Sequence, residues 1–379
     1  MERRRTIMIV AGEASGDMHA GALAREIARA DKRVKLIGVG GREMKAAGVE
    51  LLADINSLNV MGLTEIGGKI KSVVNVFFEL LKVMRRTVPS LLILVDFPDF
   101  NLLLAKFAKR YRIPVMYYIS PQVWAWRRGR TKTIAKLVDK MVVILPFEVD
   151  FYKKHGVEVE FVGHPLLDTM MTVPGKEEAR KVLGIGMSEN VVGILPGSRL
   201  SEVKKLLDVM LDATDEIKKH LPGTKFLFPL ADTLRISELS FVDRRKLEKV
   251  SIQEGKTRLV MSACDLLIAA SGTVTLEAAI LGTPLVIAYR LSPFSYYLGK
   301  RLIMVPYIGL VNLVAGERLA PELIQDDVNP RAVASEALSI LKDKERQQYI
   351  KRRFSDVKRS LGEPGASARA AKVALEFLN

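Results

Sequence analysis

Ser271-Gly-Thr-Val-Thr-Leu-Glu277 follows the apolar run Leu266–Ala270 and leads into Ala278–Gly282. That order predicts a strand, a tight turn and a helix. Small polar residues in such a turn expose backbone N–H groups at a helix N-terminus, which suits a phosphate. Glu277 lies one turn further on, where a carboxylate can accept hydrogen bonds from ribose hydroxyls. One element, Ser271-Gly272-Thr273 through Glu277, could then hold both ends of a nucleoside diphosphate, which points to a nucleotide-sugar enzyme. Pro196-Gly197-Ser198-Arg199 takes the equivalent place after Val191–Leu195, with Glu202 three residues beyond Arg199. Arg199 would add a charge-assisted, bidentate contact to an anion, although a capped helix beside a solvated arginine is the competing reading. Both turns fall at strand C-terminal ends, where ligands sit in open α/β sheets.

In the first half, Gly12-Glu-Ala-Ser-Gly-Asp17 ends a strand directly before a helix. Glycines there permit close backbone approach to a ligand; the competing reading is a simple turn capped by Ser15 or Asp17. The glycine spacing is not G-x-G-x-x-G, and no acidic residue ends the second strand, so NAD is disfavoured. Asp96-Phe-Pro-Asp99-Phe-Asn101 follows the apolar run Leu91–Val95. At the end of a strand, Asp96 is placed to accept a proton from a hydroxyl, while Asp99 or Asn101 serves as a cap. Both tryptophans, Trp124 and Trp126, lie among three arginines in Ser120–Arg130. That block suits a nucleic-acid strand, a sugar phosphate or a lipid headgroup, or else packing at the edge of a cleft. His19 follows the first glycine turn and could line the acceptor side; His164 reads as structural, and the two lack metal-ligand spacing.

The elements that must position these residues are short apolar runs alternating with helical patterns, the signature of parallel α/β layers. Strands are predicted at Thr6–Ala11, Val34–Val39, Leu91–Val95, Val115–Ile119, Lys140–Ile144 and Val159–Val162. A second series covers Val191–Leu195, Phe226–Pro229, Leu266–Ala269 and Pro284–Ala288. Glycines and prolines between His164 and Gly184 mark the boundary, dividing the 379 residues into 1–165 and 166–379, the latter with a basic helical tail. A formal charge of +15 implies an anionic partner. Cys264, the single cysteine, gives neither a disulfide framework nor a thiolate metal site. No run approaches the roughly 18 apolar residues of a membrane span. The helix expected near 69–86 has a broad apolar face (Val73, Val74, Phe77, Phe78, Leu80, Leu81) opposite Lys and Arg. That pattern fits a membrane interface, a buried helix or a dimer contact.

Taken in order, Gly12–Asp17, Asp96–Asn101, Ser120–Trp126, Pro196–Arg199 with Glu202, Ser271–Glu277 and Leu310-Val-Asn312-Leu resemble the lipid A disaccharide synthases. The resemblance implies a GT-B fold, two Rossmann-like domains facing across a cleft. It implies inverting transfer from UDP-2,3-diacylglucosamine to 2,3-diacylglucosamine 1-phosphate, giving a β(1→6) disaccharide 1-phosphate and UDP, without a metal or other cofactor. By motif correspondence, Asp96, Glu13, Arg199 and Asn312 are catalytic. Gly197, Ser198, Arg199, Ser271, Gly272, Thr273 and Glu277 bind UDP, and Ser15, His19, Trp124 and Trp126 lie on the acceptor side. The resemblance also implies a peripheral protein on the anionic inner face of the inner membrane, and it argues against nucleic acid as a partner. A homodimer is compatible with it.

Overall fold

The computed structural model describes residues 5–55, 66–126, 128–292, 296 and 305–378, and excludes the side chains of 66–71, 126 and 128. It divides into two α/β units, Met1–Asp168 with Leu361–Asn379, and Thr169–Ser360.

In the first unit, β1 (Thr6–Ala11), β2 (Lys35–Gly40), β3 (Glu50–Asp54), β4 (Leu91–Val95), β5 (Val115–Tyr118), β6 (Lys140–Val143) and β7 (Val159–Phe161) form one sheet. Its order is β3-β2-β1-β4-β5-β6-β7, and neighbouring strands run parallel. The second sheet contains β8 (Val191–Leu195), β9 (Lys225–Leu230), β10 (Ser251–Glu254), β11 (Leu266–Ala270), β12 (Leu285–Tyr289) and β13 (Glu322–Ile324). Its order is β10-β9-β8-β11-β12-β13, again parallel throughout. The central strands β1, β4, β8 and β11 are almost wholly buried. Their unbroken apolar sequences follow from being covered on both faces by helices. The helix Leu200–His220 is of the covering kind: Val203, Leu206, Leu207, Met210, Leu211 and Ile217 recur at helical spacing and are buried.

The chain changes unit after Asp168 and returns at Leu361, so the basic tail does not belong wholly to the second unit as expected. The helices Pro330–Leu341 and Lys344–Ser360 stay with the second sheet. The last helix, Ala366–Glu376, buries Ala366, Ala370, Ala371, Val373 and Ala374 and packs on the helix Ala14–Ala30. Small residues allow that close approach. Polar contacts reinforce it: Arg369 Nε donates to the Val162 carbonyl at 2.8 Å, and the His164 N–H donates to the Leu361 carbonyl at 2.9 Å.

Asp17, a candidate cap for its own helix, instead caps another. Its buried carboxylate accepts the N–H groups of Gly41 (2.6 Å), Glu43 (2.9 Å) and Met44 (3.1 Å). These are donors that the short helix Arg42–Ala46 cannot satisfy internally. Removing the acceptor leaves buried donors unpaired. Asp17→Ala should therefore destabilise the protein by about 2–4 kcal/mol, and Asp17→Asn by less, because one amide oxygen still accepts. Denaturant midpoints of the three proteins measure this. Equal midpoints for Asp17→Ala and wild type would show that the cap contributes nothing.

Candidate functional site

The order of the second sheet reverses between β8 and β11, which pair directly with Leu195 opposite Ala269. Pro196–Arg199 leaves the end of β8 and Ser271–Thr273 the end of β11, so the two predicted turns lie side by side. Each leads into a helix, Leu200–His220 or Val274–Leu281, and neither N-cap residue, Arg199 or Thr273, closes its helix with its own side chain. At the N-cap, Arg199 forms an ion pair with the N3 residue, Arg199 Nη1 to Glu202 Oε1 at 3.1 Å. Gly197 has φ +122°, and a Cβ there would lie 2.4 Å from Glu202 Oε2. Only glycine suits this turn. Thr233 donates its hydroxyl to the Ser198 carbonyl at 2.6 Å, and Ser271 donates to the Ile308 carbonyl at 3.1 Å. Both turns are thus braced from behind while Arg199 and Thr273 remain exposed.

Glu277 sits one turn into its helix with its side chain 14% exposed. Its Oε1 accepts from Arg258 Nε at 3.0 Å, and Nη2 lies 2.9 Å from the same oxygen as an ion pair. Arg258 was not singled out in the sequence, because nothing local marks an arginine 19 residues upstream as a partner.

Asn312 was expected at the site, and the structure corrects this. It is fully buried, and its amide is spent inside the fold. Nδ2 donates to the Ala320 carbonyl and to Glu322 Oε1, both at 2.8 Å, and Oδ1 accepts from the Ala320 N–H at 2.9 Å. Glu322 in turn accepts the N–H groups of Ile308 (3.0 Å) and Gly309 (2.9 Å). Asn312 therefore reaches the site indirectly, by fixing the segment on which Ser271 rests.

The first sheet reverses between β1 and β4, with Ala11 opposite Val95. This brings Gly12–Asp17 beside Asp96. A Cβ on Gly12 would fall 2.3 Å from the Phe97 ring, and one on Gly16 would lie 3.9 Å from Asp96 Cβ. Asp96 and Phe97 both adopt left-handed backbone, φ +48° and +49°, which costs a residue with a Cβ of order 1–3 kcal/mol. Two side chains hold the turn. Tyr117 Oη and Asn101 Nδ2 each donate to the Asp96 carbonyl at 2.6 Å, and Asn101 also reaches the Val95 carbonyl at 3.3 Å. Burial raises the Asp96 pKa, with the Phe97 N–H acting in the opposite sense. A carboxylate tuned upward is a better proton acceptor near neutral pH. Glu13 and Ser15 are exposed at the start of the following helix. His19 is lowered to about 4 by burial and is neutral at physiological pH, and burial lowers His164 to about 3, with His19 adding to the effect.

Trp124 does not line an acceptor surface. It is 5% exposed and stacks edge-on against Phe147. Its Nε1 donates to Glu148 Oε1 at 3.0 Å. Glu148 is itself buried, which raises its pKa to about 7 against the pull of Trp124 and the Leu145 N–H. The Trp126 side chain lies outside the described residues. Asp99 pairs with Arg130.

The helix Ile66–Thr87 also corrects an expectation. Leu80 is fully buried and cannot touch a bilayer in this fold. Phe77 meets Phe100 and Phe107 edge-on at 5.5 and 5.7 Å, and Val73 and Leu81 pack on the same core. Of the six apolar residues expected at a membrane, Val74 and Phe78 (63%) are exposed. Lys82, Arg85 and Arg86 are exposed as well, while the side chains of Lys69 and Lys71 lie outside the described residues. Among the described residues no helix is long and apolar enough to cross a membrane.

Known proteins share the fold. The UDP-GlcNAc 2-epimerase of Neisseria meningitidis, solved with UDP-GlcNAc, superposes with a TM-score of 0.62 at 12% identity, covering 98% of this chain and 99% of that one. The calicheamicin glycosyltransferase CalG4 gives 0.60 at 14% identity, covering 100% and 99%. At such identities the likeness concerns the fold, two Rossmann-like units of the GT-B type. Sequence relatives are much nearer. A lipid-A-disaccharide synthase of Geobacter sulfurreducens is 45% identical over 372 residues, 98% of this chain and 97% of that protein. One from Nitrosococcus oceani is 45% identical over 372 residues, 98% and 96%. The family model described as lipid-A-disaccharide synthetase matches residues 7–377, and this chain belongs to that family of glycosyltransferases.

Proposed function

We propose that this enzyme joins UDP-2,3-diacylglucosamine to 2,3-diacylglucosamine 1-phosphate, releasing UDP and a β(1→6)-linked disaccharide 1-phosphate. The family match along residues 7–377 carries the reading. The acceptor's 6-hydroxyl oxygen attacks the anomeric carbon as the bond from that carbon to the UDP oxygen breaks. The hydroxyl proton passes to the enzyme, and the electron pair leaves with UDP. An α-linked donor then gives a β product in one displacement. Asp96 takes the proton in this scheme, with Glu13 beside it; the raised Asp96 pKa and its rigid turn support that role. Charge developing on the departing diphosphate calls for fixed positive groups. The paired turns Gly197–Arg199 and Ser271–Thr273 supply backbone donors and the Arg199 guanidinium. Glu277 accepts from the ribose hydroxyls, and Ser15 and His19 lie on the acceptor side.

Disaccharide formation assayed in EDTA should proceed, and should require both lipids. Arg199→Ala should weaken UDP binding by roughly tenfold, the loss of one charge-assisted hydrogen bond. Asp96→Asn should keep UDP affinity and lose about 10²–10⁴ in turnover. Because burial raises its pKa, Asp96 protonates at a higher pH than an ordinary aspartate. Wild-type activity should therefore fall as pH drops through that raised value, and Asp96→Asn should lack this limb. Calorimetry and a pH–rate profile separate these outcomes; normal turnover by Asp96→Asn would move the base to Glu13.

Both lipids are anchored in a bilayer, so the enzyme meets them there, at the inner face of the inner membrane. Val74 and Phe78 provide the apolar contact, and Lys82, Arg85 and Arg86 provide charge, about 1 kcal/mol each near an anionic surface before salt screening. Val74→Ser with Phe78→Ser should reduce sedimentation with anionic vesicles while leaving the thermal midpoint nearly unchanged. Leu80→Ser should lower that midpoint, since it places a hydroxyl in the core. Undiminished vesicle binding by the double variant would place the membrane contact elsewhere.

A further inference from the structure

Glu277 and Arg258 form an asymmetric pair. Two guanidinium nitrogens, Nε at 3.0 Å and Nη2 at 2.9 Å, lie against Oε1. Among the described residues no donor reaches Oε2. Arg258 is itself anchored, through Nη1 to the Thr169 carbonyl at 3.4 Å, and it projects from the first turn of the helix Thr257–Ala263 against the helix bearing Glu277. The guanidinium therefore holds the carboxylate through Oε1, and no hydrogen bond from the described residues engages Oε2 on the side chain that follows the Ser271–Thr273 turn.

We propose that Arg258 is a positioning residue that sets the enzyme's selection of ribonucleotides over nucleotides lacking ribose hydroxyls, by holding Glu277 with Oε2 presented to those hydroxyls. The inference rests on the reading of Glu277 as the ribose contact. Three physical consequences of the pair favour it. An ionised carboxylate only accepts hydrogen bonds, so it can recognise hydroxyl donors and nothing else on the sugar. A bare carboxylate near a diphosphate would repel it, and the guanidinium offsets that charge. A glutamate has three side-chain torsions, and locking it beforehand spares the ligand the entropy of ordering it. Lysine offers no planar fork and cannot reproduce a two-nitrogen grip on one oxygen.

The test is calorimetric titration of the full-length enzyme with UDP and with 2′,3′-dideoxy-UDP. Wild type should prefer UDP by roughly tenfold or more. Glu277→Gln should remove most of that preference. Arg258→Ala and Arg258→Gln should also remove it, by weakening UDP while leaving the dideoxy ligand nearly unchanged, and Arg258→Lys should restore only part. If Glu277→Gln keeps the full preference, the reading of Glu277 fails whatever Arg258 does. If Glu277→Gln abolishes the preference and the Arg258 variants retain it, the Arg258 inference alone is overturned. Equal weakening of both ligands by the Arg258 variants would likewise overturn it, pointing to a general structural or phosphate contact. Should Arg258→Ala fail to fold, the same comparison is made with Arg258→Gln and Arg258→Lys, whose longer side chains keep the packing.

Discussion

Crossover connections in a parallel sheet are right-handed, so the direction of winding dictates which face each connecting helix covers. Where the winding reverses, two neighbouring strands send their chains to opposite faces, and a crevice opens past their C-terminal ends. Each unit here has one such place, β1 beside β4 and β8 beside β11. Gly12–Asp17 and Asp96–Asn101 share the first; Gly197–Arg199 and Ser271–Thr273 share the second. Residues far apart in the chain meet because topology leaves them no other exit. The chemistry differs by what was placed there. The first crevice holds carboxylates on tight backbone, and the second holds uncapped helix starts with an arginine.

Holding a carboxylate in left-handed backbone requires external support, and the source is visible. Tyr117 and Asn101 converge on one carbonyl, that of Asp96, and Gly12 vacates the volume that the Phe97 ring fills. The same arrangement half-buries the carboxylate and so raises its pKa. Backbone strain, aromatic packing and proton affinity are here consequences of one turn. Arg258 does for Glu277 what Tyr117 and Asn101 do for Asp96, with charge in place of backbone bracing.

Much of this was legible in the sequence, for identifiable reasons. The central strands are covered on both faces, so their apolar runs could be read directly. Turns built from Gly, Ser and Pro marked the ends of β1, β8 and β11. The edge strands β3, β10 and β13 went unpredicted because they are short, and β3 and β10 also carry exposed residues such as Glu50, Ser251 and Glu254. The return of Leu361–Asn379 to the first unit was hidden because helix–helix contact between Ala-rich faces has no sequence mark of its partner. The helix Ile66–Thr87 was over-read for the opposite reason: a wide apolar face looks the same whether it meets lipid or Phe100 and Phe107.

Asn312, Trp124 and Asp17 separate from Arg199, Glu277 and Asp96 on a criterion that composition cannot supply. All six were polar or amphipathic residues in motif-like surroundings. In the first three every strong donor or acceptor is consumed inside the fold: Asn312 on Ala320 and Glu322, Trp124 on Glu148, Asp17 on the helix Arg42–Ala46. In the second three capacity is left over. Among the described residues Glu277 has no hydrogen bond on Oε2, and Arg199 spends one nitrogen on Glu202 with most of its side chain exposed. Asp96 has its carbonyl pinned while its carboxyl group remains available to accept a proton. A buried polar group must be satisfied to be tolerated, so within a rigid scaffold the groups with unspent capacity are those left for a ligand. The same test places Arg258 between the two sets: it is committed to Glu277 and Thr169, and its commitment is what frees the opposite oxygen of its partner.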